Sequence, residues 1–321
     1  MVSAYEHTRS RRQKHLVSLV SNDLSDMRVR VPASTSNLGA GFDVLGLALN
    51  MYLDLSITLD TGNIEVHTTG AGEGALPTDE SNLIAQIILE HAPELRARGF
   101  HVHTHSDIPL TRGFGSSATA IVGALGLVQL TRGEDIDRQK ILQISTAKEG
   151  HPDNVSASIF GGLTINASLP DAVHTHVVRV PSSIQIVGII PHQKISTAAA
   201  RDALPDRYER ADIVYNLQRL AWLITGLYEE DHDMIGAGLN DKLHQDYRCA
   251  LLPPMREAID AMKAHDNCIG AFVSGAGPAM VAFTSGDAQA IGDIGANLFR
   301  EQGIEATVRV LQPDNEGIVR I

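Results

Sequence analysis

The chain has 321 residues, enough for about two domains with sizeable cores. Its formal net charge of −12 argues against a nucleic-acid or membrane-surface partner, since both need basic patches, and no apolar run reaches the roughly 18 residues of a membrane span. Cys249 and Cys268 are too few for a disulfide framework or a zinc site, which suits a reduced, cytoplasmic setting.

Residues 1–26 are polar, with a basic cluster over 9–14 and no apolar segment or small-residue cleavage site, so they do not read as a secretory signal. They read as a solvated tail, or as residues upstream of the true start codon. A strand over 28–32 then runs into Pro32-Ala33-Ser34-Thr35-Ser36-Asn37-Leu38-Gly39-Ala40-Gly41-Phe42-Asp43. By itself this reads as a Gly-rich turn, with Asp43 capping the apolar run that follows. Residues 45–59 are apolar and β-prone, 63–68 alternates as a short strand, and 80–97 carries helical spacing. His101, His103 and His105 fall on one face of a further strand. They read as a polar row on a solvent face rather than as metal ligands.

The most informative stretch follows, Pro109-Leu110-Thr111-Arg112-Gly113-Phe114-Gly115-Ser116-Ser117-Ala118. Two glycines free the backbone for positive φ and close approach. A small-residue helix then opens, and its N-terminal N–H groups and dipole suit phosphate. The spacing is not that of a Walker A loop and lacks its lysine, and no strand precedes it as in a dinucleotide fingerprint. Ser116 or Ser117 can place a hydroxyl on a phosphate oxygen or on Mg²⁺. The helix covers about 115–131, and a second covers 136–148 with Asp135 or Asp137 as its cap. Glu149-Gly150-His151-Pro152-Asp153-Asn154 makes a sharp turn into a helix over 154–160, and Leu163–Ala167 reads as a strand. In this turn His151 reads as packing. Asp153 is placed to serve as a general base.

Residues 170–183, with Pro170 and Pro181, read as a loop and as the domain boundary. Beyond it the pattern predicts a strand over 184–190 and helices over 196–203, 208–227, 231–239 and 253–264. A strand over 269–274 and the Gly-rich turn Ser274-Gly275-Ala276-Gly277-Pro278 lead to a strand over 279–284, a helix over 286–303 and a strand over 305–311. Strands segregated from helices in this way predict a two-domain α+β protein.

In order and spacing, the segments at 32–43, 113–118, 149–154 and 274–278 resemble the GHMP kinases, and the first and third together resemble the homoserine kinases among them. The resemblance spans about residues 28–310. It implies an N-terminal ribosomal-protein-S5-like, ATP-binding domain over 27–180, a ferredoxin-like domain over 181–321 and an active site between them. It also implies ATP and Mg²⁺ as cofactors, a small-molecule substrate, a homodimer, and transfer of phosphate to the side-chain hydroxyl of homoserine on the route to threonine. Another small hydroxylated acceptor such as threonine, or a non-catalytic nucleotide-binding homologue, is the alternative.

The family pattern assigns Asn37, Asp43, Asn154, Arg201 and Arg248 to the amino acid substrate. Asp153, Asn154 and Thr197 fall at the reaction centre, and Pro109, Arg112, Gly113, Phe114, Gly115, Ser116, Ser117 and Ala118 on ATP. An aspartate suits an ammonium group, and arginine forks suit a carboxylate. The family is generally read as needing no obligatory base, which leaves the role of Asp153 open. One position departs from the pattern. The glutamate that ligates magnesium in homoserine kinases, eleven places before the motif asparagine, is Gln143 here. A neutral amide is a poorer ligand for a hard dication. Ser117 and Glu149 are the alternatives.

Overall fold

The computed structural model describes residues 27–321, and the tail read over 1–26 lies outside the described residues. Two sheets organise the chain. The first has the order β11-β1-β2-β4-β3, with β5 also paired to β2 and β6 to β5. Its members are β1 (Arg28–Ser36), β2 (Leu45–Leu59), β3 (Ile64–Gly70), β4 (Phe100–Ser106), β5 (Leu163–Ser168), β6 (Val173–Val178) and β11 (Val319–Arg320). β2 is 15 residues long because its alternating pattern holds throughout. Its start pairs with β5, and its second half pairs with β4. β1 continues as strand through Ser36, so the serines at 34 and 36 sit on a rigid ladder rather than in a turn.

Three helices cover this sheet's inner face and build the larger core. They are α1 (Leu83–His91), α3 (Ser116–Thr131) and α5 (Asp153–Phe160); α2 (Leu95–Arg98) and α4 (Arg138–Glu149) flank them. α3 is buried along almost its whole length because it is made of small and apolar residues. α4 starts where the sequence predicts, with the Asp137 carboxylate accepting from the Lys140 N–H at 3.0 Å.

The second sheet, β10-β7-β9-β8, is antiparallel throughout. It comprises β7 (Gln185–Pro191), β8 (Cys268–Val273), β9 (Met280–Thr284) and β10 (Ala306–Leu311). Between β7 and β8 come α6 (Thr197–Asp202), α7 (Arg210–Glu229), α8 (His232–Gly238) and α9 (Gln245–Cys249). α10 (Pro254–Lys263) and α11 (Ala288–Glu301) pack on one face through Val187, Ile189, Met255, Ile259, Met262 and Phe299. The other face, with Ile186, Phe272 and Phe283, joins the core of the first sheet.

Three expectations need correction. The 170–183 segment is not all loop. It contains β6, which pairs with β5 from Leu163↔Val178 to Ser168↔Val173. Its prolines lie outside the paired stretch, so they do not break the ladder. The segment 181–321 is not one continuous unit, because Pro313 bridges to Leu49 and β11 pairs with β1, returning the C-terminus to the first sheet. Finally, the short helix α9, which carries Arg248, has no counterpart among the predicted elements. No helix among the described residues is long and apolar enough to cross a membrane.

Candidate active site

A cleft of about 440 Å³ opens between the two sheets. One wall is the N-terminus of α3 and the loop before it. Gly115 takes φ +68 and caps the helix, and no side chain among the described residues caps it. The first-turn N–H groups are therefore left for a ligand. Gly113, at φ +87, presses so close to the second domain that an added Cβ would lie 2.0 Å from the Ser274 carbonyl oxygen. An added Cβ on Gly115 would lie 2.2 Å from Ser34 Oγ. A side chain at 113 would collide with backbone, and one at 115 would have to push aside the Ser34 hydroxyl.

Gly113, Gly115, Ser116, Ser117 and Ala118 all line the cleft. Phe114 and Pro109 do not. Phe114 is 1% exposed and packs over Gly188 of β7, so it plugs the seam beneath the loop. Pro109 borders a separate, more open cavity. Arg112 touches the cleft, but its guanidinium donates to the carbonyls of Leu110, Pro191 and His192. It thus ties the loop to β7. Leu76, Pro77, Leu83, Ile84 and Leu110 complete an apolar wall on this side, which only the folded loop after β3 brings together.

The opposite wall is built by the 37–43 turn and the start of α5. Asn37, Leu38 and Asp43 take φ values of +74, +45 and +56, in the left-handed region that side chains rarely enter. The turn is held by the Asn37 amide, which donates to the Gly275 carbonyl at 3.1 Å and accepts from the Asp43 N–H at 3.1 Å. Asn154 is equally engaged. It accepts from Ser34 Oγ at 2.9 Å and donates to Ser36 Oγ at 2.9 Å. These serines belong to the site; the 32–43 segment was the signal for them, although no separate role was read from it.

Asp153 is fully buried at the first position of α5. Its Oδ1 accepts from His151 Nδ1 at 2.7 Å and from the Asn154 N–H at 2.7 Å. Burial opposes the charge, but these bonds and the nearby imidazole win, so the carboxyl sits below its usual range. Burial likewise opposes charge on His151, yet the Asp153 contact holds its pKa above the usual one. His151 thus does more than pack a turn: it lines the cleft as the partner of Asp153.

Two arginines enter from the second domain. Arg201, on α6, forks onto Asp43 at 2.9 and 3.3 Å. Arg248, on α9, is 3% exposed and donates to the Gly275 carbonyl at 2.7 Å and to His244 Nδ1 at 3.3 Å. His244 donates through Nε2 to the Gly39 carbonyl at 2.9 Å, and its ring stacks on Phe42. Arg248 Nε is buried with no hydrogen-bond partner among the described residues. It is a free donor in a cleft wall, suited to an anion. Thr197 lines the cleft at the first position of α6.

Gln143 is elsewhere. Its amide donates to the Val173 carbonyl at 3.0 Å and accepts from the Val173 N–H at 2.9 Å, so it pins β6 and does not line the cleft. Glu149 does line it, and its Oε1 is buried without a partner among the described residues.

The model of the GHMP kinases N terminal domain matches residues 82–162, and that of the GHMP kinases C terminal matches 223–317. The homoserine kinase of Trichormus variabilis is 38% identical over 300 residues, covering 92% of this chain and 98% of that protein. The chain belongs to the homoserine kinase family. The homoserine kinase of Moorella thermoacetica is 36% identical over 91% of this chain and 99% of its own length. The crystal structure of homoserine kinase from Cytophaga hutchinsonii superposes with a TM-score of 0.81 at 26% identity, covering 92% of this chain and 96% of that one. The fold is therefore the two-domain α+β fold of the GHMP kinases. Asn37, Asp43, Thr197 and Arg201 lie outside both matched ranges, and all four line the cleft.

Proposed function

We propose that the chain transfers the γ-phosphoryl group of ATP to the side-chain hydroxyl of L-homoserine, giving O-phospho-L-homoserine and ADP. The observation that carries this reading is one cleft holding both a helix-terminal glycine loop and paired charges of opposite sign. Asp43 takes the α-ammonium group, and Arg201 and Arg248 take the carboxylate. Asn37 and Asn154 shape the floor beneath the hydroxyl, and Thr197 stands near the moving phosphoryl group. The N–H groups and hydroxyls at 113–118 cradle the phosphates. Arg112 holds that loop in place rather than binding phosphate itself.

Such transfer depends on positioning and on neutralising charge as the phosphoryl group moves. Asp153, held ionised below its usual range by burial-resisting hydrogen bonds, is a weak base. A loose transition state asks little of one. Its part is to fix Asn154 and His151.

The cleft suits a divalent cation. A buried carboxylate oxygen on Glu149, without a partner among the described residues, and a hydroxyl on Ser117 are hard oxygen donors that Mg²⁺ accepts. Bound with ATP, Mg²⁺ neutralises the phosphate charge. The reading places Glu149 where Gln143 stood in the sequence expectation. It extends to a homodimer, supported by the exposed Ile213, Val214 and Leu217 of α7. Light scattering giving the mass of a single chain would remove the dimer.

Phosphorus NMR of the chain incubated with ATP, Mg²⁺ and L-homoserine tests the reaction. A new phosphomonoester signal that grows with ADP is expected. ATP hydrolysis to inorganic phosphate alone would overturn the acceptor assignment.

A further inference from the structure

The outer face of the first sheet carries a second group of metal-binding side chains, remote from the cleft. The edge strand β3 runs parallel to β4, with Glu65 opposite His101 and His67 opposite His103. Residues two apart on a strand share a face, and neighbouring strands lie about 4.8 Å apart. Glu65, His67, His101 and His103 therefore occupy the corners of one small patch. The histidine row read from the sequence had ligands on one strand only; the parallel register supplies the second.

One ring nitrogen of His67, one of His101 and a carboxylate oxygen of Glu65 all lie within 4.8 Å of one another. Little movement is needed to bring them round one ion. Their orientation is already constrained. His67 Nε2 donates to Glu65 Oε2 at 2.9 Å, Asn63 Nδ2 donates to Glu65 Oε1 at 2.7 Å, and His101 Nε2 donates to Asn63 Oδ1 at 2.7 Å. The His67 ring also stacks on His103, with centroids 4.9 Å apart. Hydrogen bonds of this kind, from an amide to a carboxylate and from an imidazole to an amide oxygen, are those that orient metal ligands. Glu65 is half-buried and His67 exposed, so an ion can enter from solvent.

We infer that Glu65, His67 and His101 form a surface site for a divalent cation of the Zn²⁺ class. Two imidazoles and a carboxylate are a donor set that Zn²⁺ takes, with His103 or water in the fourth position. The bound ion clamps the edge strand β3 to β4. The chain after β3 supplies Leu76, Pro77, Ser81 and Asn82 to the cleft wall, so the clamp braces the segment that leads there. None of the four patch residues lines the cleft, and the inference stands apart from the kinase reading.

The test is a Zn²⁺ titration of the full chain by calorimetry, with melting temperature read in parallel. The cleft also holds a closely placed group, Asp43, His151 and Asp153, so the deciding quantity is a difference between proteins. Wild type should bind one more Zn²⁺ per chain than H67A/H101A. The single variants H67A and H101A should each weaken that site by about tenfold or more. Zn²⁺ should raise the wild-type melting temperature through binding to the folded state alone, and the double variant should show a smaller rise. H174A, an exposed histidine on β6, should behave as wild type. All variants should keep the wild-type far-UV spectrum and Mg²⁺-supported activity. Equal Zn²⁺ stoichiometry in wild type and H67A/H101A would overturn the inference, as would a melting shift as large in the double variant as in wild type.

Discussion

Arg201 and Asp43 satisfy each other across the cleft, guanidinium to carboxylate at 2.9 and 3.3 Å. These are the two charges that the ends of a zwitterionic amino acid require. The pair supplies one charge from each domain, each opposite in sign to the substrate group it would take, and so holds the cleft ready. Binding then exchanges one ion pair for two, which limits the desolvation cost of bringing an amino acid into the cleft.

Arg201→Ala should therefore raise the KM for homoserine by roughly tenfold to a hundredfold, the scale of a lost charge-assisted contact. The KM for ATP should stay close to wild type. Because Arg201 and Asp43 are partners, the double variant with Asp43→Ala should lose less than the sum of the single losses. Steady-state kinetics with each substrate varied in turn checks both statements.

Gly115→Ala should abolish most activity while leaving a folded protein. The new Cβ meets Ser34 Oγ at 2.2 Å and Asn154 Oδ1 at 3.2 Å, in a left-handed backbone. Relieving that collision displaces both the phosphate cradle and Asn154. A displacement of about 1 Å in a reacting group costs about a hundredfold in rate. Single-turnover measurements should show the loss in the chemical step, and far-UV circular dichroism should show the fold retained.

Glu149→Gln should raise the Mg²⁺ concentration needed for half-maximal activity, since a carboxylate oxygen becomes a neutral amide. Gln143→Glu should leave that requirement unchanged. It should instead lower stability by about 1–3 kcal/mol, because a carboxylate cannot donate to the Val173 carbonyl that the amide now holds. Magnesium titrations and urea unfolding of the two variants separate the two roles.

His151 should titrate above its ordinary 6.5, because Asp153 favours the imidazolium more strongly than burial opposes it. The sign follows by linkage. Stabilisation from the raised histidine is full below pH 6.5 and fades as pH rises through its folded value. Stabilisation from the depressed Asp153 is full above its ordinary 3.8 and fades as pH falls through its own folded value. Asp153→Asn should drop the His151 pKa, measured by NMR of the imidazole protons.

Much of this site was legible in the sequence because its signals are local. The glycine loop, the Asp137 cap of α4 and the turn at Gly150 each depend on neighbours a few residues away, and the structure has them where the sequence puts them. What was illegible depends on partners far along the chain. Gln143 looks like a displaced metal ligand until Val173, 30 residues on, is found holding both ends of its amide. Phe114 sits inside the loop motif, yet it turns into the seam because Gly188 leaves room for a ring there. β6 was hidden by its flanking prolines, and α9 is a five-residue helix too short to show periodicity. The polar reading of the β4 histidines lacked only the register that places β3 beside them.

The central claim is tested most directly by ADP release from purified protein with ATP and Mg²⁺, comparing L-homoserine, L-threonine, L-serine and no acceptor. Rapid turnover with homoserine, and little with the others, is the predicted result. Turnover with a different acceptor would contradict the substrate assignment, and ATP binding without turnover on any acceptor would contradict the kinase reading itself.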